Sequence, residues 1–247
     1  MNLVIDIGNS YTKVAVFENE KTVVTARYRR LNIRLLNTFL FKNQLSGLID
    51  ACILCTVSTY PEEIIRFLKQ HYTFIFFDHT VPVPVLSQYK TPETLGKDRL
   101  AAAVGASSLF KSKNVLCIDM GTCIKYDFVN KNNVYCGGSI SPGYEMRFKA
   151  LNTFTEKLPL IKSRKINFLT GKNTEESILS GVFNGISSEI SDMINKYKKR
   201  HTSLKVIISG GDMKNLDKEL KMRIFAVPNI VTLGLNIILN YNKKQLK

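Results

Sequence analysis

Apolar positions fall into short runs broken by polar turns, and the first run sets the pattern. Leu3-Val4-Ile5-Asp6-Ile7 reads as a strand, Gly8-Asn9-Ser10 as a tight polar turn, and Thr12 to Phe17 as a second strand. Residues 22–28 predict a third. Leu31 to Lys42 suits a helix, Ala51–Val57 a buried strand, and Pro61-Glu62-Glu63 a helix start with proline and acids in its first turn. Phe74 to Phe77 reads as a buried strand. Val81-Pro82-Val83-Pro84-Val85 is an edge or extended connector, because proline lacks the ladder donor. Leu100 to Ala106 predicts a buried helix entered from the turn-rich stretch Tyr89–Arg99.

The opening pattern then returns. Val115-Leu116-Cys117-Ile118-Asp119-Met120-Gly121-Thr122 leads into a strand ending near Val129, so Ile5, Asp6, Gly8 and Asn9 align without a gap with Ile118, Asp119, Gly121 and Thr122. A repeat of this length predicts two similar lobes, 1–112 and 113–247, each opening with a hairpin whose tip faces a shared nucleotide cleft. Two Asp-x-Gly hairpins clasping a nucleotide is the logic of the duplicated actin-like, ribonuclease H-like ATPase and kinase architecture, an α/β fold. Beyond the repeat, Tyr144 to Leu151 and a long amphipathic stretch from Asn173 towards Lys199 predict helices. Ser203–Ser209 predicts a strand, Gly210-Gly211-Asp212 a tight turn, and Ile230–Leu239 a closing helix.

At 247 residues the chain can bury a real core. It has no apolar run of membrane-spanning length and opens directly into a strand, so a cytoplasmic protein is expected, neither secreted nor membrane-bound. The formal charge of +15 invites a nucleic-acid reading. The lysines are scattered, however, and no basic run is interleaved with aromatics. Lys196 to Arg200 and the tail from Lys243 to Lys247 read as solvated helix ends, so no nucleic-acid partner is expected. Five cysteines make an odd count, against a disulfide framework. Cys52 and Cys55 match C-x-x-C by letter, but residues three apart on a strand face opposite ways, and both read as core thiols.

Candidate chemistry gathers at three places. At the first tip, Gly8 allows close approach of a ligand, turn N–H groups can point at one anion, and Lys13 adds a point charge. Asp6 cannot bind phosphate directly and would hold a metal or a water; an ordinary polar hairpin is the bland alternative. At the second place, Asp98 and Arg99 stand at a loop–helix junction. Asp98 can accept a proton from a hydroxyl nucleophile and Arg99 can fork onto a carboxylate; alternatively Asp98 serves the helix dipole and Arg99 a surface pair. The third place is the repeated tip at Asp119 and Thr122. Asn173 with Glu176 resembles a capping box, and capping alone would justify Thr174 and its neighbours.

Taken together, five motifs in register resemble the type III pantothenate kinases over nearly the whole chain: Asp6-Ile7-Gly8-Asn9-Ser10 with Lys13, Thr94-Leu95-Gly96-Lys97-Asp98-Arg99, Asp119-Met120-Gly121-Thr122, Gly137-Gly138-Ser139-Ile140-Ser141-Pro142-Gly143, and Thr174 to Gly181. That family has the actin-like kinase fold and uses ATP to phosphorylate the terminal hydroxyl of pantothenate, opening coenzyme A synthesis. The resemblance implies that Asp6, Ile7, Gly8, Asn9, Ser10, Tyr11, Thr12, Lys13 and Thr122 contact ATP, with magnesium bound through the nucleotide. It implies that Asp98 is the general base and that Tyr89, Gly96, Lys97, Asp98, Arg99 and Thr174 meet pantothenate. Asp119 would hold a monovalent cation, potassium or ammonium, and the chain would form a homodimer. Four residues depart from the family pattern. Lys97 and Cys123 stand where small apolar residues are common, and Lys125-Tyr126 is unusual in the second phosphate motif, which puts phosphate affinity and cation dependence in question. The rival readings are a sugar or polyol kinase of the same fold and a non-catalytic accessory protein binding nucleotide or nucleic acid.

Overall fold

A computed structural model describes residues 1–216 and 224–245; Lys247 of the expected charged tail lies outside them. The chain divides into two compact units. The first gathers Met1–Lys111, Asn133–Cys136 and the stretch from Asn229 onward, and the second Ser112–Asn132 and Gly137–Pro228. The closing helix, expected with the second lobe, therefore packs within the first unit.

The first unit is built on the sheet β3-β2-β1-β4-β5, from β1 (Asn2–Ile7), β2 (Thr12–Glu18), β3 (Lys21–Tyr28), β4 (Ala51–Thr56) and β5 (Thr73–Phe76). β1, β2 and β3 pair antiparallel, whereas β4 and β5 run parallel to β1 through helical crossovers, α1 (Ile33–Lys42) and α2 (Glu62–His71). The side chain of Asn32 caps α1 by accepting from Leu35 N at 2.8 Å, so the helix starts two residues later than its apolar pattern suggests. Every residue of β1 is buried, so both faces of the sheet are covered. Leu3, Ile5 and Ile7 pack with Leu36, Leu40, Ile64 and Leu68 of α1 and α2. With the period of two, Asn2, Val4 and Asp6 face the other way. That face meets the closing helix, α6 (Ile230–Gln245), where Asn2 Nδ2 donates to Asn236 and Asn240 at 2.8 and 2.7 Å.

Helix α3 (Lys97–Leu109) lies against α6 at backbone distance. A Cβ on Gly234 would stand 1.8 Å from the Ala101 carbonyl oxygen, and one on Gly105 2.6 Å from that of Ile230. Ala101 to Ala106 are all buried, so α3 is covered on every side. A short strand, β6 (Leu86–Ser87), pairs parallel with Val134 and Tyr135.

The second unit repeats the plan. Its strands are β7 (Val115–Met120), β8 (Cys123–Val129), β9 (Val134–Pro142), β10 (Lys205–Ser209) and β11 (Phe225–Ala226), in the order β11-β10-β7-β8-β9. Strand for strand this is the order of the first sheet, as the duplicated actin-like architecture requires. Leu116, Ile118, Met120, Ile124 and Tyr126 pack with α4 (Tyr144–Thr153) and the long α5 (Thr174–Arg200) through Tyr144, Phe148, Leu179, Phe183, Ile186 and Ile190. Asn173 Oδ1 accepts from Glu176 N at 2.9 Å while Glu176 Oε2 accepts from Lys172 N at 2.7 Å, so the expected capping box forms with its return bond one residue earlier.

Candidate active site

Register brings the charged residues of the first tip into one row. Asp6 stands opposite Lys13 on β2 and Cys55 on β4, and Lys13 stands opposite Arg27 on β3. Cross-strand partners share a face, so Cys55, Asp6, Lys13 and Arg27 project to the side of the sheet covered by α6. Asp6 is only 6% exposed. The turn itself closes by Gly8 N donating to Tyr11 O at 3.1 Å. The Gly8 amide is thus engaged within the turn, and Asn9 and Ser10 are its exposed residues. Thr12 is buried, and the Arg27 guanidinium covers the Tyr11 ring at 3.5 Å from its centroid. Sequence pattern did not single out Arg27. Its signal was available only as the register position beside Lys13.

The second candidate group belongs to the same unit. Gly96 caps α3, and Asp98 lies half-buried in the first turn with its Oδ1 accepting from Arg99 N at 2.9 Å. Arg99 is 5% exposed and its guanidinium stands 5.7 Å from the Tyr89 ring centroid. Tyr89 in turn stacks on the buried Tyr135 at 6.1 Å. Arg99 is therefore a buried guanidinium set beside an aromatic pair rather than a solvated surface charge. Lys97 Nζ donates to the Pro92 carbonyl at 2.8 Å. Desolvation holds the Lys97 ammonium below its usual pKa, opposed by the charges of Asp78, Cys55 and Glu93. Helix α3 also packs against β4, the strand on which Cys55 stands opposite Asp6.

In the second unit, Asp119 is 7% exposed and shares a face with Lys125 on β8 and Ser209 on β10. Lys125 Nζ stands 2.7 Å from Asp119 Oδ2. Thr122 is exposed at the tip, with its carbonyl accepting from Gly143 N at 3.0 Å. Two glycine turns press against this tip. A Cβ on Gly143 would lie 2.2 Å from the Gly121 carbonyl oxygen, and one on Gly210, whose φ is +93°, 2.1 Å from that of Met120. Backbone crowding and a positive φ thus account for Gly210 without a ligand. Thr174 is exposed as the first residue of α5.

Behind the tip lies a polar hub that the motifs did not reveal. Glu189 on α5 accepts from the Tyr126 hydroxyl at 2.8 Å, from Ser141 and from the Arg147 guanidinium. Burial pushes the Glu189 carboxyl up, but these hydrogen bonds and the Arg147 charge outweigh it and hold the pKa below the usual range. Burial and the Glu189 carboxylate push the Tyr126 phenol well above its ordinary value.

The family model of the type III pantothenate kinases matches residues 2–196. The chain belongs to that family. A Cytophaga hutchinsonii protein named type III pantothenate kinase is 43% identical, over 98% of this chain and 100% of its own length. A second, from Christiangramia forsetii, is 41% identical over 99% of this chain and 100% of its own. Among solved structures, MreB 5 of Spiroplasma citri bound to AMPPNP matches with a TM-score of 0.50 at 10% identity, over 99% of this chain and 97% of that one, a likeness of fold alone. As a type III pantothenate kinase, the chain keeps every residue of the three candidate groups in a described position. Among the described residues no three His, Cys, Asp or Glu side chains gather as a metal cluster, and no helix is long and apolar enough to cross a membrane.

Proposed function

We propose that this chain transfers the γ-phosphoryl group of ATP to the terminal hydroxyl of pantothenate, the first step of coenzyme A biosynthesis, with Asp98 as the general base. The observation that carries the assignment of the base is the pairing, on one helical turn, of a half-buried carboxylate and a buried guanidinium stacked towards Tyr89. Phosphoryl transfer asks for positioning and charge neutralisation more than for covalent help. Arg99 forks onto the carboxylate of pantothenate and so sets the distance of its far hydroxyl from Asp98. Tyr89, Gly96, Lys97 and Thr174 complete the acceptor site. As the hydroxyl oxygen attacks phosphorus, its proton passes to the Asp98 carboxylate.

Asp6 to Lys13 and Thr122 contact the nucleotide. Lys13 supplies a fixed positive charge, and the exposed Asn9 and Ser10 present the turn to the phosphates. The lack of a three-ligand cluster among the described residues suits magnesium carried by the triphosphate, with Asp6 holding one of its waters. Bound there, magnesium neutralises phosphate charge.

Replacing Asp98 by Asn tests the assignment. Turnover in a pantothenate-dependent ADP-release assay is expected to fall by about 10²–10⁴-fold while ATP still binds. Near-wild-type turnover would remove Asp98 as the base. A homodimer belongs to the same reading, supported by exposed apolar side chains in the second unit at Ile140, Phe154, Leu160 and Leu169. Sedimentation giving only monomer at assay concentrations would remove it. A cytoplasmic location also belongs to this reading, supported by buried cysteines that form no disulfide at Cys52 and Cys117.

A further inference from the structure

Asp119 is the carboxylate at which the family resemblance implies a potassium or ammonium ion, and its surroundings do not fit one. An ammonium group already sits there. Lys125 Nζ is 2.7 Å from Asp119 Oδ2, with the two side chains only 17% and 10% exposed. A free monovalent cation at this carboxylate would meet a like charge at contact distance, in a partly desolvated setting that screens little.

The pairing is dictated by register. In the first hairpin four residues, Gly8 to Tyr11, separate the last strand pair, Ile7 and Thr12, whereas in the second only Gly121 to Cys123 separate Met120 and Ile124. The gap-free alignment of the two copies thus holds through Asn9 and Thr122 and slips by one beyond them. With that slip, Lys125 faces Asp119 across the ladder as Lys13 faces Asp6. Directly opposed partners hold their Cβ atoms about 4.5–5.5 Å apart on one face, within easy reach of a lysine side chain.

We infer that Lys125 is a tethered substitute for the monovalent cation, so that catalysis by this chain needs neither potassium nor ammonium. The inference rests on the kinase reading for its activity readout, and on ion binding for an independent one.

The test compares the full chain with Lys125→Met, which keeps the side-chain stem and removes the charge. Pantothenate-dependent ADP release with magnesium is measured in choline chloride and after adding potassium, ammonium or sodium chloride. Thallium(I) binding, followed by its NMR signal, and thermal shift with potassium against matched choline are measured beside it. The wild type is expected to turn over equally in all four salts, to bind no thallium and to show no potassium-specific shift. Lys125→Met is expected to lose about tenfold or more in choline, to recover with potassium or ammonium, and to gain thallium binding. A wild type that binds thallium, or that potassium accelerates, overturns the inference. So does a folded Lys125→Met that gains neither ion binding nor cation dependence. If Lys125→Met does not fold, the wild-type arms still decide. If no salt supports ADP release, the kinase reading fails while thallium binding still judges Lys125.

Discussion

The crossing of α3 and α6 is where a single methyl group should do the most damage. Gly234→Ala would place its Cβ 1.8 Å from the Ala101 carbonyl oxygen and 3.1 Å from the Gly105 amide nitrogen, all of it backbone that cannot rotate aside. Ordinary contact begins near 3.4 Å, so the helices must part locally by about 1.5 Å, opening the interface at Ala101 and Gly105. Overpacking of this kind costs about 3 kcal/mol. At this chain length that is about 6–12 °C in melting temperature. Because Asp98 rides on the first turn of α3, turnover per folded molecule should fall as well. Gly181→Ala is the matched control. It sits inside α5 with nothing within 4 Å of its added Cβ, and should be neutral or stabilising by up to about 1 kcal/mol. Differential scanning calorimetry of both variants, paired with ADP release, checks this. A Gly234→Ala protein melting within about 1 °C of wild type, or a Gly181→Ala protein equally damaged, would refute the close-packing account.

Two other perturbations probe the groups described above. Because the folded-state pKa of Glu189 is depressed, its hub stabilises the second unit fully above the unfolded carboxyl value of 4.5, and that contribution disappears as pH falls through the lower folded value. Urea midpoints of wild type and Glu189→Gln should therefore converge on acidification; a gap that stays constant from neutral pH down to about 3.5 would argue against the hub. Arg99→Lys should raise KM for pantothenate about tenfold or more, since a buried ammonium cannot reproduce the fork or the stack on Tyr89, and an unchanged KM would remove Arg99 from the acceptor site.

Strand–turn–strand alternation around two Asp-x-Gly tips was legible because strands buried on both faces read as near-continuous apolar runs broken by polar turns. The strand order that the second sheet shares with the first was implied by the repeat. Helix ends were less legible: the start of α1 depends on an Asn32 cap bond, and the apolar pattern of α6 stops six residues short of the helix, which continues through polar side chains to Gln245. The closing helix was assigned to the wrong neighbour because an apolar face does not say what covers it. Small residues at Gly105 and Gly234 carried the answer, but only once the two helices were seen in contact.

Local chemistry along the chain was enough to name the candidate residues, since a phosphate-binding turn, a helix-start Asp-Arg pair and a repeated tip are each contiguous stretches. Pairing across strands was not, because a one-residue difference in turn length is invisible until the ladder forms. That register aligned Lys125 with Asp119 and put Arg27 beside Lys13, while the packing of α5 and α4 on the second sheet joined Glu189 to Tyr126, Ser141 and Arg147. Charges act over a few ångströms in space, whatever their separation along the chain, and the fold alone supplies that distance.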